Sequence, residues 1–392
     1  MIRVVQAERL FDGERFRENM AVVIEDGIIV DLLPASDSLL LADMQVCKGL
    51  LAPGFIDVQV NGGGGVLFNN LRTVEGIAAI GRAHQRYGTT GFMVTFITDT
   101  PAHMAEAMAA VRMALEQAVP GLLGVHLEGP FLNRLRKGIH DEGCIRPMEG
   151  SDEAAIIKLA HDVPAYARIM LTLAPETVTE ASIQRLAAEG IRICAGHTAA
   201  DSATVEAARQ HGLSGFTHLF NAMPPLAGRD PGPVGAAMVD PESYCGIIVD
   251  LHHVSPLALK AAIAAHGSER MMLVTDAMPT VGVDENSFVL GGRTITREQG
   301  RLTSADGTLA GSDLDMASAV SNTVRHLGLP LAEALRMASL YPAMFLGLDD
   351  KLGRIAPGFR ASMALLAGDV ATGSFRVTDL WIDGVPMTMQ AD

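Results

Sequence analysis

Between residues 53 and 348 the chain alternates short apolar runs with longer helix-like stretches, eight times over. The runs are FIDVQV from Phe55, GFMVTFIT from Gly91, GVHLEG from Gly124, ARIMLTLAP from Ala167, IRICAGHT from Ile191, GFTHLFNAM from Gly215, CGIIVDLHHV from Cys245 and MMLVTDAM from Met271. Strands buried on both faces read as near-continuous apolar runs, which is how parallel sheets covered by helices appear in sequence. Stretches such as PAHMAEAMAAVRMALEQA and SATVEAARQHG, with apolar residues spaced three or four apart, supply the helices between them. Eight such units predict an α/β fold, a (β/α)8 barrel of the TIM type. The connection between the sixth and seventh runs, NAMPPLAGRDPGPVG, reads as irregular rather than helical.

The two ends differ from this pattern. AVVIEDGIIVDLL near the start and FRVTDLWIDGVPM near the finish each place Asp-Gly between strand-like residues, a hairpin signal. A small β-sandwich assembled from both termini, residues 1–52 and 349–392, is therefore expected beside a catalytic barrel of residues 53–348. Residues 284–309 carry Gly-Gly, Gln-Gly and Asp-Gly turns without a helical period, and predict a β excursion after the eighth strand.

Composition narrows the function. A formal net charge of −15 excludes a general nucleic-acid binder, which needs a basic footprint. Any anion site must be a local cluster of Arg, His and backbone N–H groups. No apolar run approaches the roughly 20 residues that cross a bilayer, and MIRVVQAERLFDGERF has no stretch fit for a signal peptide. The expectation is a cytoplasmic protein without membrane attachment. Cys47, Cys144, Cys194 and Cys245 lie far apart, without a C-x-x-C pair, as expected of reduced thiols.

In a barrel of this kind catalytic groups lie at the C-terminal strand ends. Glu128 closes the third run in HLEGP, His197 the fifth in AGHT and Asp276 the eighth in VTDAM, while His218 falls within the sixth in THLFNAM. Taken singly, a His at a strand end is more often a hydrogen-bonded structural residue, Glu128 suits a salt bridge and Asp276 a helix cap. Four such groups on one rim point instead to a site. One carboxylate and two imidazoles with an open position form a catalytic zinc site, which activates water and polarises a carbonyl. Asp276 is then placed to move the proton from water to a leaving nitrogen. His140 in KGIHD and Asn221 and Arg229 in the Gly/Pro-rich loop lie near these motifs, and His253 in VDLHHV is expected to end the seventh strand. Arg229 suits bidentate pairing with a phosphate, although a surface loop charge is the commoner role for such a residue. Alternation points His252 away from whatever His253 faces.

PGFIDVQVNGGGG, GVHLEGPF, KGIHD, AGHT, THLFNAM, GRDPG, VTDAM and LAGSDLDM, in this order, resemble the N-acetylglucosamine-6-phosphate deacetylases of the amidohydrolase superfamily. SLYPAMFLGLDDKLGRIAPGFRASM is similar to that superfamily's return into its β-sandwich. The resemblance covers nearly the whole chain, and HLEGPF with THLFNAM is its most specific part. It implies that Glu128, His197 and His218 hold the metal, that Asp276 is general base and then acid, and that His140 hydrogen-bonds the acetyl carbonyl oxygen. It also implies that Ile139, His140, Asn221, Ala222, Arg229, His253, Leu309, Ala310 and Gly311 bind an amino-sugar phosphate. A dimer is implied as well, with Arg229 serving the neighbouring subunit's site.

One departure is informative. Many amidohydrolases place His-x-His on the first strand to support a second metal, whereas this chain has Gln59 and Asn61. Neutral amides are poor zinc ligands beside imidazole and carboxylate. One divalent ion per subunit is therefore expected, Zn²⁺ first, with Fe²⁺, Co²⁺ and Mn²⁺ also suited to the donor set, and Gln59 and Asn61 hydrogen-bonding around it. The expected reaction is deacetylation of N-acetylglucosamine 6-phosphate. Its rivals are the galacto epimer, a dihydroorotase-like or dipeptidase-like amide hydrolase, and a catalytically silent barrel. The HLEGP glutamate, standing where a bridging lysine would be, argues against the second. The retained metal set and base argue against the third.

Overall fold

Eight parallel strands line up in chain order: Phe55–Val60, Thr89–Ile97, Leu122–Glu128, Arg168–Leu173, Arg192–Ala195, Leu213–Phe216, Tyr244–Ile247 and Met271–Leu273. The computed structural model describes residues 2–40 and 44–388, so residues 1, 41–43 and 389–392 of the expected terminal unit lie outside the described residues. The first and second strands are buried along their whole length, Asp57 and Gln59 of the first included. Helices cover the outside. The longest, Pro101–Glu116, is capped by the Thr100 hydroxyl, which accepts from His103 N, and has Pro101 in its first turn, where no N–H is missed.

The first and eighth strands close the ring just past their ends. Val60 bridges Ala277 in parallel, Asn61 N donates to Ala277 O at 3.0 Å, and Asp276 N donates to Gln59 O at 3.0 Å. Below this, fully buried Asp57 accepts from Thr275 N at 3.3 Å and from Thr275 Oγ1 at 2.5 Å. The barrel seam is thus sewn by residues that flank the rim.

The last four strands are shorter than their apolar runs. His218 lies two residues beyond the sixth strand rather than within it, and His253 lies six residues beyond the seventh rather than at its end. The physical reason is local after the fifth, sixth and eighth strands. His197, His218 and Asp276 adopt positive φ (49°, 33° and 53°), which breaks a β ladder. The connection after the sixth strand is irregular only to Pro231, after which Gly232–Val239 forms a helix. Nearly every residue of GPVGAAMV is apolar or small, so it lacks the polar face that makes a helix readable.

The two termini build one seven-stranded sheet in the order Val385–Pro386, Ser374–Ile382, Met363–Asp369, Met44–Pro53, Ile2–Phe11, Phe16–Glu25 and Ile28–Pro34. Asp26 and Gly27 turn the N-terminal hairpin with φ of 48° and 83°, as Asp-Gly does in tight turns. Ala361 N donates to Gly27 O at 2.8 Å and Gly384 N to Ala361 O at 2.9 Å, which brings the sheet's edges together. The sheet rolls around one core containing Leu10, Ile24, Ile29, Leu51, Met363 and Trp381.

The excursion after the eighth strand is a three-stranded antiparallel sheet: Ser287–Leu290, Arg293–Glu298 and Arg301–Ser304. Leu290, Ile295 and Leu302 pack on Leu67, Ile97, Ile139, Met278 and Ala310, pinning this flap over the C-terminal rim. Among the described residues no helix is long and apolar enough to cross a membrane. Cys47, Cys194 and Cys245 are buried, Cys144 is partly buried, and all four are free thiols.

Candidate metal centre and its cavity

Glu128 is the last residue of the third strand, and its side chain is met by two imidazoles from the loops beyond the fifth and sixth. Glu128 Oε1 is 3.2 Å from His197 Nε2 and 3.0 Å from His218 Nε2, and the two nitrogens are 3.0 Å apart. A tetrahedral ion with bonds of about 2.0–2.1 Å spaces its ligands roughly 3.3 Å apart. The observed triangle is close to one face of such a tetrahedron.

Tautomers reinforce this fit. His197 Nδ1 sits 2.8 Å from Arg136 O, and a carbonyl can only accept, so this nitrogen carries the proton. In the neutral ring Nε2 is then a bare lone pair facing a carboxylate oxygen and a second imidazole nitrogen. Three electron-rich atoms converging in a buried site are the donor set for a cation. Glu128, His197 and His218 are 2%, 5% and 4% exposed. Burial raises the Glu128 carboxyl, but hydrogen bonding and charge from His197 and His218 outweigh it and hold the group well below the usual range. Burial opposes charge on His218, and Glu128 overrides it, raising that imidazole. Glu128, His140 and His197 form a looser group of potential ligands within 4.8 Å of one another, so His140 borders the same point.

Gln59 and Asn61 surround the site from the first strand. Gln59 Nε2 lies 3.3 Å from both Glu128 oxygens and 3.2 Å from Asp276 Oδ1. Asn61 Nδ2 donates to Asp276 Oδ1 at 2.6 Å. Burial first, then the negative charge of Glu128, push the Asp276 carboxyl up to about 6, against the lowering influence of His218, His253 and Asn61. Positive φ at His197, His218 and Asp276 costs on the order of 1–3 kcal/mol each and clusters where geometry serves chemistry.

These groups open into a cavity of about 330 Å³, within the range of small-molecule sites. Its wall includes the expected Asn61, Glu128, Ile139, His140, His197, His218, Asn221, Ala222, His253, Asp276, Leu309 and Gly311. Ser312 N donates to Asp276 O at 2.9 Å, drawing the 309–311 segment alongside. At Gly311, φ is +59° and a Cβ would lie 2.7 Å from Asp276 O, so only glycine fits. Asp250 Oδ2 is 2.6 Å from His253 Nδ1 and orients that ring towards the cavity. Ala310 is buried behind the wall in the flap cluster.

Arg229 is exposed and absent from this wall, so this chain's own cavity does not receive it. The wall also contains residues that the sequence did not single out: Ile97, Leu135, Arg136 and Thr308, together with Gly138 of KGIHD and Met278 of VTDAM. Arg136 precedes KGIHD, and its Nε is buried without a hydrogen-bond partner. An arginine one residue from a motif was the available signal.

A closed parallel barrel with a Glu/His/His centre at its C-terminal rim defines a metal-dependent hydrolase of the amidohydrolase kind. The chain matches the amidohydrolase family over residues 50–387 and belongs to that family. It is 41% identical over 370 residues to an N-acetylgalactosamine-6-phosphate deacetylase of Shewanella sp. (strain ANA-3), covering 94% of this chain and 91% of the relative. It is 38% identical over 338 residues to an N-acetylglucosamine-6-phosphate deacetylase of Mus musculus, covering 82% and 80%. The crystal structure of N-acetylglucosamine-6-phosphate deacetylase from Pasteurella multocida superposes with a TM-score of 0.92 at 32% identity, covering 99% of this chain and all of that one.

Proposed function

We propose that the chain hydrolyses the N-acetyl group of N-acetylglucosamine 6-phosphate, releasing acetate and glucosamine 6-phosphate. The observation that carries this reading is the 3.0–3.2 Å triangle of Glu128, His197 and His218 beside Asp276 in one cavity. A divalent ion bound there, Zn²⁺ first, supplies Lewis acidity that activates water and polarises an amide carbonyl.

The chain's own groups do the rest. Asp276 takes the proton from the attacking water and delivers it to the departing nitrogen, and Asn61 and Gln59 hold it in place. His140 donates from Nε2 to the carbonyl oxygen as negative charge develops there. Asn221, Ala222 and His253 hold the sugar phosphate, with Ile139, Leu309 and Gly311 against the sugar and Ala310 behind them. Fixing the remote phosphate positions the acetamide for attack. Arg229, exposed in its own subunit, reaches the phosphate of the neighbouring subunit in a homodimer. The reading includes a cytoplasmic enzyme divided into a catalytic barrel (53–348) and a terminal β unit (1–52 and 349–392).

The test is acetate release from N-acetylglucosamine 6-phosphate before and after metal removal and Zn²⁺ restoration. Release that disappears and returns supports the reading; no release from the Zn²⁺-loaded protein ends it. The galacto epimer is the second reading, favoured by the name of the Shewanella relative. Parallel kcat/KM measurements on the two epimers decide between them.

A further inference from the structure

The role given to His140 requires a proton on Nε2, and a neutral imidazole carries only one proton. Nδ1 faces Thr98 Oγ1 at 2.8 Å, which leaves Nε2 to meet whatever occupies the cavity. Thr98 follows the second barrel strand, and its side chain is buried between His140 and the third strand. Its hydroxyl also carries one proton and has two acceptors nearby: His140 Nδ1 at 2.8 Å and Glu128 O at 3.3 Å. An O–H donor ordinarily works over about 2.5–3.0 Å. The imidazole lies inside that range and the carbonyl outside it.

We propose that Thr98 is a positioning residue whose hydroxyl donates to His140 Nδ1, fixing the neutral ring as the Nε2–H tautomer and presenting that N–H to the amide oxygen. With the opposite tautomer, His140 offers the cavity only a lone pair, useless to a developing oxyanion and a competitor for the ion. This inference rests on the deacetylase reading for its catalytic consequence, but the tautomer itself can be observed without substrate.

The experiment uses Zn²⁺-loaded full-length protein labelled with ¹⁵N-histidine, with the His140 ring signals identified by their loss in His140→Asn. An Nε2–H signature in the wild type is expected; an Nδ1–H signature overturns the inference. In parallel, Thr98→Val keeps the side-chain shape and removes the hydroxyl. Its kcat should fall about 10–100-fold, the cost typical of losing a group that orients a site residue, with KM within about threefold and zinc content unchanged. Thr98→Ser should recover most of the loss. Wild-type kcat in Thr98→Val, or a serine variant as impaired as the valine one, also overturns it. If the wild type releases no acetate from either hexosamine phosphate, the deacetylase reading fails while the ring signature still decides the tautomer.

Discussion

Asn61 Nδ2 donates to Asp276 Oδ1 across 2.6 Å, so an amide at the first-strand position where many amidohydrolases place a histidine holds a carboxylate here. Asp276→Asn leaves the three ion-binding groups in place while removing the base. Turnover should fall by about 10²–10⁴-fold, the usual contribution of a positioned acid–base group. Metal content, measured by atomic absorption, should match wild type. Normal turnover in this variant would remove Asp276 from the mechanism.

The same carboxylate sets a pH limb. Burial and then the charge of Glu128 push it up to about 6. A base must be ionised, so activity is lost as pH falls through its pKa. A cation on Glu128 cancels the repulsion that raises Asp276, and kcat/KM should therefore lose half its value below pH 6. A half-loss well above pH 6 would assign the limb to another group.

Arg229 is exposed and lies outside its own cavity. If it completes a neighbour's phosphate site, Arg229→Ala should raise KM for the 6-phosphate by about 10–100-fold, the scale of a hydrogen bond to a charged group. Unphosphorylated N-acetylglucosamine should be unaffected. An equal loss on both substrates would exclude a phosphate role.

Chelation should lower the thermal unfolding midpoint, because an ion that binds only the folded state stabilises it by about 2.7 kcal/mol at 100 times its Kd. Zn²⁺ should restore the midpoint in wild type but not in His197→Ala or His218→Ala. Calorimetry with and without Zn²⁺ checks this. Equal midpoints in wild type under both conditions would contradict a metal centre.

Asp57 is fully buried at the barrel seam, and burial pushes its carboxyl up to about 7 despite hydrogen bonds from Thr275 and Gln59. A carboxyl raised in the folded state favours folding fully below its unfolded pKa, about 3.9, and that contribution is lost as pH rises through about 7. Asp57→Asn retains an acceptor for the two backbone N–H groups and cannot ionise. Its stability should therefore vary less than wild type between pH 5 and 8 in urea titrations. An unchanged slope would locate the pH dependence elsewhere.

Much of this was legible in the chain because the physics is local. The Asp26-Gly27 turn, the doubly buried run of Thr89–Ile97 and the Gly-Gly turn of the flap each announce themselves within a few residues. The rim was legible at Glu128, which ends its strand, but less so at His218 and His253, because an apolar run gives no sign of where positive φ or a loop interrupts it. The helix at Gly232–Val239 was hidden by its lack of a polar face. Arg136 and Thr98 act through contacts between separate loops, and no spacing rule records those.

The seam between the first and eighth strands divides the labour of the molecule. The cation's three donors come from the third strand and the loops after the fifth and sixth, away from the two ends of the sheet. Asp276 gains Gln59 and Asn61 only when those ends join. A change at the seam therefore reaches the base directly and the three donors only through Gln59, which makes turnover, rather than metal uptake, the readout of an intact ring.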